Sequence, residues 1–377
     1  MDLPSVDGGF FIHAGKCFVS FFVIVVLLPL LCLSADAEEG GILQEQIGVA
    51  QLERSAPDEA QAIFGAATID DYSDVPAMLE KLWTSITGQS HDLLFSALRS
   101  GAQIIAVSFL AAICCSLAES ETVSLAGVLA VSFVAMNRIS SCAAVGKEAL
   151  HSLGDYSHVL LPCLCTASAA SGCVTSAGAK YAASILVLDG VISVCVNCVM
   201  PFLNVYAGVI LAGQVTNHPL LQSVGGLLKL GVKWSLILIT TVFTLYLSVT
   251  GLLTGTVDAA AAKAAKTAMS AAIPVVGGIL SDASSALLSG AKMLCAGIGV
   301  MGMLAVLAVC LIPYLTLGSH YLVFQISGSA VMSFCDKRIG SVIKELGSVY
   351  GFLLGMVGCV SIMLFVSVIS LMKAVTL

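Results

Sequence analysis

Long apolar stretches, separated by short polar ones, fill the chain after residue 100. Nine runs approach the roughly 20 residues that a helix needs to cross a bilayer: 101–118, 122–137, 156–175, 181–212, 232–254, 271–290, 293–316, 319–335 and 347–372. The run 271–290 is only weakly apolar. The run 181–212 is too long for one simple span and contains Pro201, so it is either a kinked helix or a span with a re-entrant piece. The pattern predicts an all-α, polytopic transmembrane helical bundle with six to nine spans.

The first 98 residues follow a different pattern. Lys16 precedes an apolar run at 18–31, and Ala35-Asp36-Ala37 has the small residues of a cleavage site, so 1–37 is predicted to be a signal peptide, with an uncleaved anchor as the alternative. Residues 38–98 then start outside the cytoplasm. After Asp74, helical spacing of apolar residues predicts an amphipathic helix that lies at the interface or packs on the bundle: Val75, Met78, Leu79, Leu82, Trp83 and Ile86.

Composition and charge agree with a membrane protein. Of all residues, 58% are hydrophobic and only 10% are charged, whereas soluble domains average about 25% charged. The segment 36–92 holds twelve of the 23 acidic residues and two of the 16 basic ones. The acidity therefore belongs to the predicted extracytoplasmic segment. No cluster of basic residues indicates binding to nucleic acid.

Two pairs of prolines suggest an internal duplication. Each pair is separated by 39 residues: Pro162 with Pro201, and Pro274 with Pro313. The offset of 112 residues between the pairs also places Gly178-Ala179-Lys180 on Gly290-Ala291-Lys292. We expect 158–256 and 270–372 to be two copies of one membrane unit, after a first transmembrane hairpin at 99–157. Duplicated units are common in transporters and channels, and the sequence leaves open whether these are parallel or inverted.

Polar residues inside apolar runs are candidates for function, because ionisable groups are costly in a bilayer. Asp189 lies in such a run, and Asn197 follows eight residues later on the same broad face of a helix, with Asn204 nearby. Their functional interpretation is a polar pore or interface face. The alternative is one buried aspartate that a neighbouring helix satisfies.

Prolines and lysines in the two predicted copies are the other candidates. Pro201 and Pro313 either break helices and free carbonyl groups for an ion, or only kink packed helices. Lys180 and Lys292 are expected at the ends of spans, with their ammonium groups reaching the interface.

Catalytic motifs are missing from the sequence. It contains no HExxH, no Walker-type loop, no GxSxG and no GxGxxG after a strand. Cys195 and Cys198 have the spacing of a redox or metal motif but lie in an apolar stretch, where cysteine packs as a small hydrophobe. We expect no enzyme, no cofactor and no metal site, so any energy that the protein uses comes from a partner.

Two segments carry a resemblance to a known family. Glu121-Thr122-Val123-Ser124 follows the first span, and the turn Ile273-Pro274-Val275-Val276-Gly277-Gly278 leads into a small-residue stretch that ends at Gly302. Together with the order of signal peptide, acidic segment, amphipathic helix and spans, these resemble the stage III sporulation protein AE family of endospore-forming Bacillota. The resemblance is clearest over 100–372.

The resemblance implies a place in a complex rather than a reaction. Members lie in the mother-cell-derived membrane around the forespore, within an eight-protein set that includes a secretion-type ATPase. That set meets the stage II sporulation protein Q across the intermembrane space and resembles a transenvelope channel. The implied role is a channel or export-gate subunit, with a homo-oligomer left open. The alternatives are an autonomous secondary transporter that uses Asp189 and the two prolines, and a non-conducting scaffold.

Overall fold

The computed structural model describes residues 75–118, 121–216, 220–221, 223–245, 277–334 and 337–376. Its helices are α1 Val75–Ala118, α2 Glu121–Ala170, α3 Val174–Val194, α4 Met200–Thr216, α5 Ser223–Leu245, α6 Gly277–Phe334 and α7 Lys337–Thr376. A π-helical turn, Cys195–Val199, joins α3 to α4 into one rod. The six rods of the described residues are all long and apolar enough to cross a membrane. The all-α, multi-pass prediction is confirmed.

The reversal between α2 and α3 depends on Gly172. This residue has φ +93°, a left-handed conformation that glycine adopts without steric cost. The Gly172 amide donates to the Ala169 carbonyl at 3.0 Å, and the Cys173 amide donates to the Ser168 carbonyl at 3.2 Å. These two bonds form a Schellman motif, which ends α2 and satisfies its last carbonyl groups. The motif returns the chain along α2 immediately, so α3 packs antiparallel to α2.

The helices α6 and α7 form a long antiparallel hairpin. The hydroxyl groups of Tyr314 and Ser361 lie 3.0 Å apart, and nearer the turn Gln325 donates to the Lys344 carbonyl at 3.2 Å. The other contacts place α1, α3–α4 and α6 in one direction and α2, α5 and α7 in the other. Within their most apolar windows, 72% of residues are buried in α6 and in α7, against 28% in α3–α4 and 11% in α5. The hairpin is therefore the centre of the bundle.

In two cases, two of the predicted spans belong to the same helix. The runs 122–137 and 156–175 both contribute to α2, and 293–316 and the described part of 319–335 both lie in α6. The polar stretch of α2 does not break the helix, because buried residues recur three or four apart within it: Ile139, Cys142, Gly146, Ala149, Leu150 and Leu153. The domain boundaries after residues 98 and 157 consequently fall inside α1 and α2.

The run 181–212 is a continuous, irregular helix, without a re-entrant piece. Pro201 has no amide hydrogen and cannot bond to the Asn197 carbonyl in the usual way. One residue earlier, the Met200 amide donates to the Cys195 carbonyl, five residues back. The helix thus accommodates Pro201 by forming one wider turn.

The predicted duplication is compatible with the helix directions but stays a prediction. The rod α3–α4, with Pro201, runs the same way as α6, with Pro313, and α5 runs the same way as α7. If the two units are copies, they are parallel rather than inverted. The predicted signal peptide, the acidic segment up to residue 74, and Pro274 lie outside the described residues.

Four rods, α2, α3–α4, α6 and α7, are longer than a bilayer requires. The apolar part of α6, Leu288–Phe334, has 47 residues, about 70 Å of helix, whereas the hydrocarbon core is about 30 Å thick. Even the steepest common tilt of about 40° leaves a straight rod of this length spanning about 54 Å. The bundle therefore extends past the hydrocarbon on at least one side.

The hairpin makes its closest approach where Gly328 of α6 meets Gly340 of α7. A β-carbon at Gly340 would lie 2.8 Å from the Gly328 carbonyl oxygen and 2.9 Å from the Met332 amide nitrogen. Both are backbone atoms, which a side-chain rotation cannot move. Only glycine allows the two backbones to pass this closely.

We expect Gly340→Ala to destabilise the protein by about 1–3 kcal/mol, because the added methyl group overpacks this crossing. Gly318→Ala is the matched control, since a β-carbon at Gly318 would meet nothing within 4 Å. Thermal unfolding in detergent should show a lower midpoint for the first variant only. Equal midpoints for both variants would contradict the close approach.

Candidate functional site

The outer surface of the bundle has two different characters. The exposed large side chains of α5 are apolar, as expected for contact with lipid: Val224, Leu227, Leu230, Trp234, Ile237, Leu238, Val242 and Leu245. The outer side of α1 is similar, with Phe95, Leu98, Phe109, Leu110, Ile113 and Leu117 exposed. Polar groups concentrate instead on α2 and on the rod α3–α4. Any site that requires water or a polar partner belongs there.

The α2 polar face consists of the exposed residues of α2 after Phe133. From residue 134 to residue 170 every exposed residue is polar, charged or alanine: Asn137, Ser140, Ser141, Ala144, Lys147, Glu148, His151, Asp155, His158, Thr166 and Ala170. This length corresponds to about 50 Å of helix. The α2 polar face is therefore long enough to cross the hydrocarbon core completely.

Asp189 lies beside the α2 polar face. Its Oδ1 atom is 3.0 Å from Nε2 of His158, and the two side chains are 47% and 52% exposed, respectively. The tight turn at Gly172 creates this contact by placing α3 directly against α2. A neighbouring helix satisfies Asp189, as one interpretation of the sequence expected, but the carboxylate lies at the surface rather than buried.

Asn197, Asn204 and Pro201 are exposed on α3–α4, in line with Asp189. Asn197 donates to Ser193 Oγ at 3.1 Å. The Asn204 side chain has no hydrogen-bond partner within the part of the chain that the structure describes. The structure thus brings Asp189, Asn197, Pro201 and Asn204 onto one face.

The remaining candidates lie elsewhere. Lys180 differs from expectation, because it is 4% exposed and its Nζ atom donates to the Ser370 carbonyl of α7 at 2.6 Å. A carbonyl oxygen has two lone pairs, so this bond can add to the helical one. Lys292 is exposed near the start of the apolar part of α6, while Pro313 is buried inside α6. Unlike His158, neither Lys292 nor Pro313 contacts Asp189 in the part of the chain that the structure describes.

A polar network between three helices was missed in the sequence analysis. Glu345 of α7 accepts a hydrogen bond from the Tyr206 hydroxyl of α4 at 2.8 Å, and Lys229 of α5 lies 3.2 Å from the same Oε2 atom. Tyr206 is 1% exposed. Glu345 lies near the polar start of α7, so in the sequence it resembles a charged residue at the end of an ordinary membrane span. The network links three helices, and it joins α5 to α7 in addition to the contact between Thr240 and Cys359.

The described residues include a small cleft but no metal centre. A cleft of about 160 Å³ lies between α2, α4 and α7, with Ile139, Lys147, Asn204 and Leu353 in its lining. Pockets for small molecules usually measure about 300–1,000 Å³. No group of three His, Cys, Asp or Glu side chains in the described ranges could hold a metal ion.

We expect Lys229→Met and Glu345→Gln each to lower stability, because each leaves part of the network without its partner. The double variant should lose less than the sum, with a coupling of about 0.5–3 kcal/mol. Equilibrium unfolding in mixed micelles measures the coupling. Glu148→Gln, which changes an exposed carboxylate of α2, should combine additively with Lys229→Met; strictly additive losses for both pairs would contradict the network.

Comparison with known proteins gives one match. The family described as stage III sporulation protein AE matches residues 74–375. No curated protein and no solved structure matches the chain. The matched region begins one residue before α1 and ends one residue before the end of α7.

Proposed function

Because the chain belongs to the stage III sporulation protein AE family, we propose that it is a channel or export-gate subunit of the mother cell–forespore transenvelope complex. Its place is the mother-cell-derived outer forespore membrane. Its partners are the other proteins of the same set, including the secretion-type ATPase, and the stage II sporulation protein Q across the intermembrane space. The α2 polar face contributes one wall of the aqueous path.

The observation that carries this proposal is the α2 polar face. Over about 50 Å of helix, no large apolar side chain is exposed on α2, although the same helix exposes Leu129 and Phe133 just before the face begins. A face turned to lipid would carry apolar residues, as α5 does. Lys147, Glu148 and Asp155 would be costly against hydrocarbon, so this face fits water.

The mixed charges of the α2 polar face are better suited to a wall in contact with water than to a contact with another helix that excludes water. Lys147 and Glu148 are neighbours, and Asp155 and the His158–Asp189 pair follow further along. Burying such groups in a dry interface requires a matched partner for each one. Water satisfies them without any such match. A single copy leaves the wall open, so other subunits close the path.

We expect cysteines placed at Ser140, Ala144 and His151 to react with a membrane-impermeant maleimide in intact membranes. Leu129→Cys and Phe133→Cys on the same helix, and Leu227→Cys on α5, should stay unlabelled because their positions face lipid. Residue-resolved mass spectrometry separates these sites from the native cysteines. Equal labelling of the two sets, or labelling of neither, would contradict an aqueous wall on α2.

We expect an in-frame deletion in the source organism to leave growth normal and to block sporulation after engulfment. A late forespore transcription reporter should be silent, and forespores should collapse. Reintroducing the intact gene is the control. Normal spore formation in the deletion strain would overturn the proposal. Solute uptake by proteoliposomes of the purified chain alone, lost with Asp189→Asn, would instead establish the autonomous transporter.

A further inference from the structure

We infer that the cleft between α2, α4 and α7 binds a small organic anion, which has one carboxylate group and an apolar body. The cleft measures about 160 Å³ and opens on the α2 polar face, since Ala144 and Lys147 belong to both. The proposed function gives this face to water but assigns no ligand to it. The inference rests on that function in one respect, because the ligand reaches the cleft through the water along α2.

The floor of the cleft is apolar and buried. Four of its lining residues are at most 2% exposed: Ile139, Leu203, Val349 and Leu353. The helix α2 leaves room above this floor, because it borders the cleft with the short side chains of two alanines, Ala143 and Ala144. The floor therefore favours an apolar group over water.

The volume of the cleft limits the ligand to a small molecule. An apolar cavity of about 150 Å³ accepts one benzene molecule, and the cleft is of nearly this size. A benzene ring or a chain of about six carbon atoms therefore fills it. The same limit disfavours a phospholipid, because the cleft does not enclose two acyl chains.

The mouth of the cleft carries two free hydrogen-bond donors. Lys147 of α2 and Asn204 of α4 both line the cleft, and both are exposed. Neither side chain has a hydrogen bond or an ion pair within the part of the chain that the structure describes. An ammonium group is a strong donor to a carboxylate, and an amide nitrogen can add a second bond. The donors come from different helices and border the same small opening.

The charge at the mouth selects an anion. Among the described residues, no Asp or Glu lines the cleft. Glu148 follows Lys147 in the sequence, but adjacent positions of a helix point about 100° apart, so their side chains do not face each other. Water would satisfy only the donors at the mouth, and an acyl chain would satisfy only the floor. An anion with an apolar body satisfies both.

The test uses benzoate and benzamide, which share one ring and differ in charge. The purified full-length chain in a neutral detergent is titrated with each compound, and binding is measured by isothermal titration calorimetry. We expect the wild-type chain to bind benzoate about tenfold more tightly than benzamide, because only benzoate forms a charge-assisted hydrogen bond with Lys147.

Three variants locate the binding. Lys147→Met should weaken benzoate binding about tenfold and change benzamide binding little. Lys292→Met is the matched control and should keep the wild-type affinities, since Lys292 is also exposed and without a partner in the described residues but does not line the cleft. Ala144→Leu should weaken the binding of both compounds, because the larger side chain fills the room above the floor. All three variants should keep the wild-type thermal midpoint.

Equal affinity of the wild-type chain and Lys147→Met for benzoate would overturn the inference. Equal affinity of the wild-type chain for the two compounds would do the same, as would binding that Ala144→Leu leaves unchanged, because both results indicate partition into the detergent. Calorimetry in detergent is independent of maleimide labelling in membranes. Absent labelling with intact benzoate binding would contradict only the aqueous wall, and the reverse result would contradict only the anion site.

Discussion

The close packing of α6 against α7 is the contact on which the other helices depend. Gly328 and Gly340 let the two backbones meet, and most of the apolar length of both helices is buried by their neighbours. In a bilayer the hydrophobic effect does not draw helices together, so such close van der Waals contact supplies the association. The remaining rods add to this hairpin with less burial, and α5 contacts α7 through the Lys229–Glu345 pair and through Thr240 and Cys359. Stability is thereby concentrated at the centre, which leaves the outer rods free to carry polar groups.

The sequence predicts the class of fold well and the division into helices less well. Apolar runs identify α1, α5 and α7 because each contains one run that ends at polar residues. The same reasoning divided α2 and α6 into separate spans, because a polar stretch within a continuous helix has the composition of a loop. The helical spacing of the buried residues Ile139, Cys142, Ala149 and Leu153 distinguishes a polar stretch within a helix from a loop. This criterion can be used only once a neighbouring helix is known to bury that face.

The polar candidates illustrate what only tertiary structure can give. Asp189 and Asn197 share a face by helical periodicity alone, so that relation could be predicted. The contact of Asp189 with His158 depends on the turn at Gly172, and the burial of Lys180 depends on the placement of α7. No local signal indicates either. The polar groups of the molecule therefore lie in three different places: between helices in the Glu345 network, along α2, and along α3–α4.

The π-helical turn at Cys195–Val199 contains one extra residue, which changes the side of the rod on which all later residues lie. Ideal helix geometry would rotate Ala212 about 160° away from Gly178, nearly to the opposite side of the rod. One extra residue in the widened turn rotates everything after it back by about 100°, which returns Pro201 and Gly208 to the side of Asp189. The irregularity that accommodates Pro201 therefore also keeps the exposed polar residues Asp189, Asn197 and Asn204 on one side of the rod.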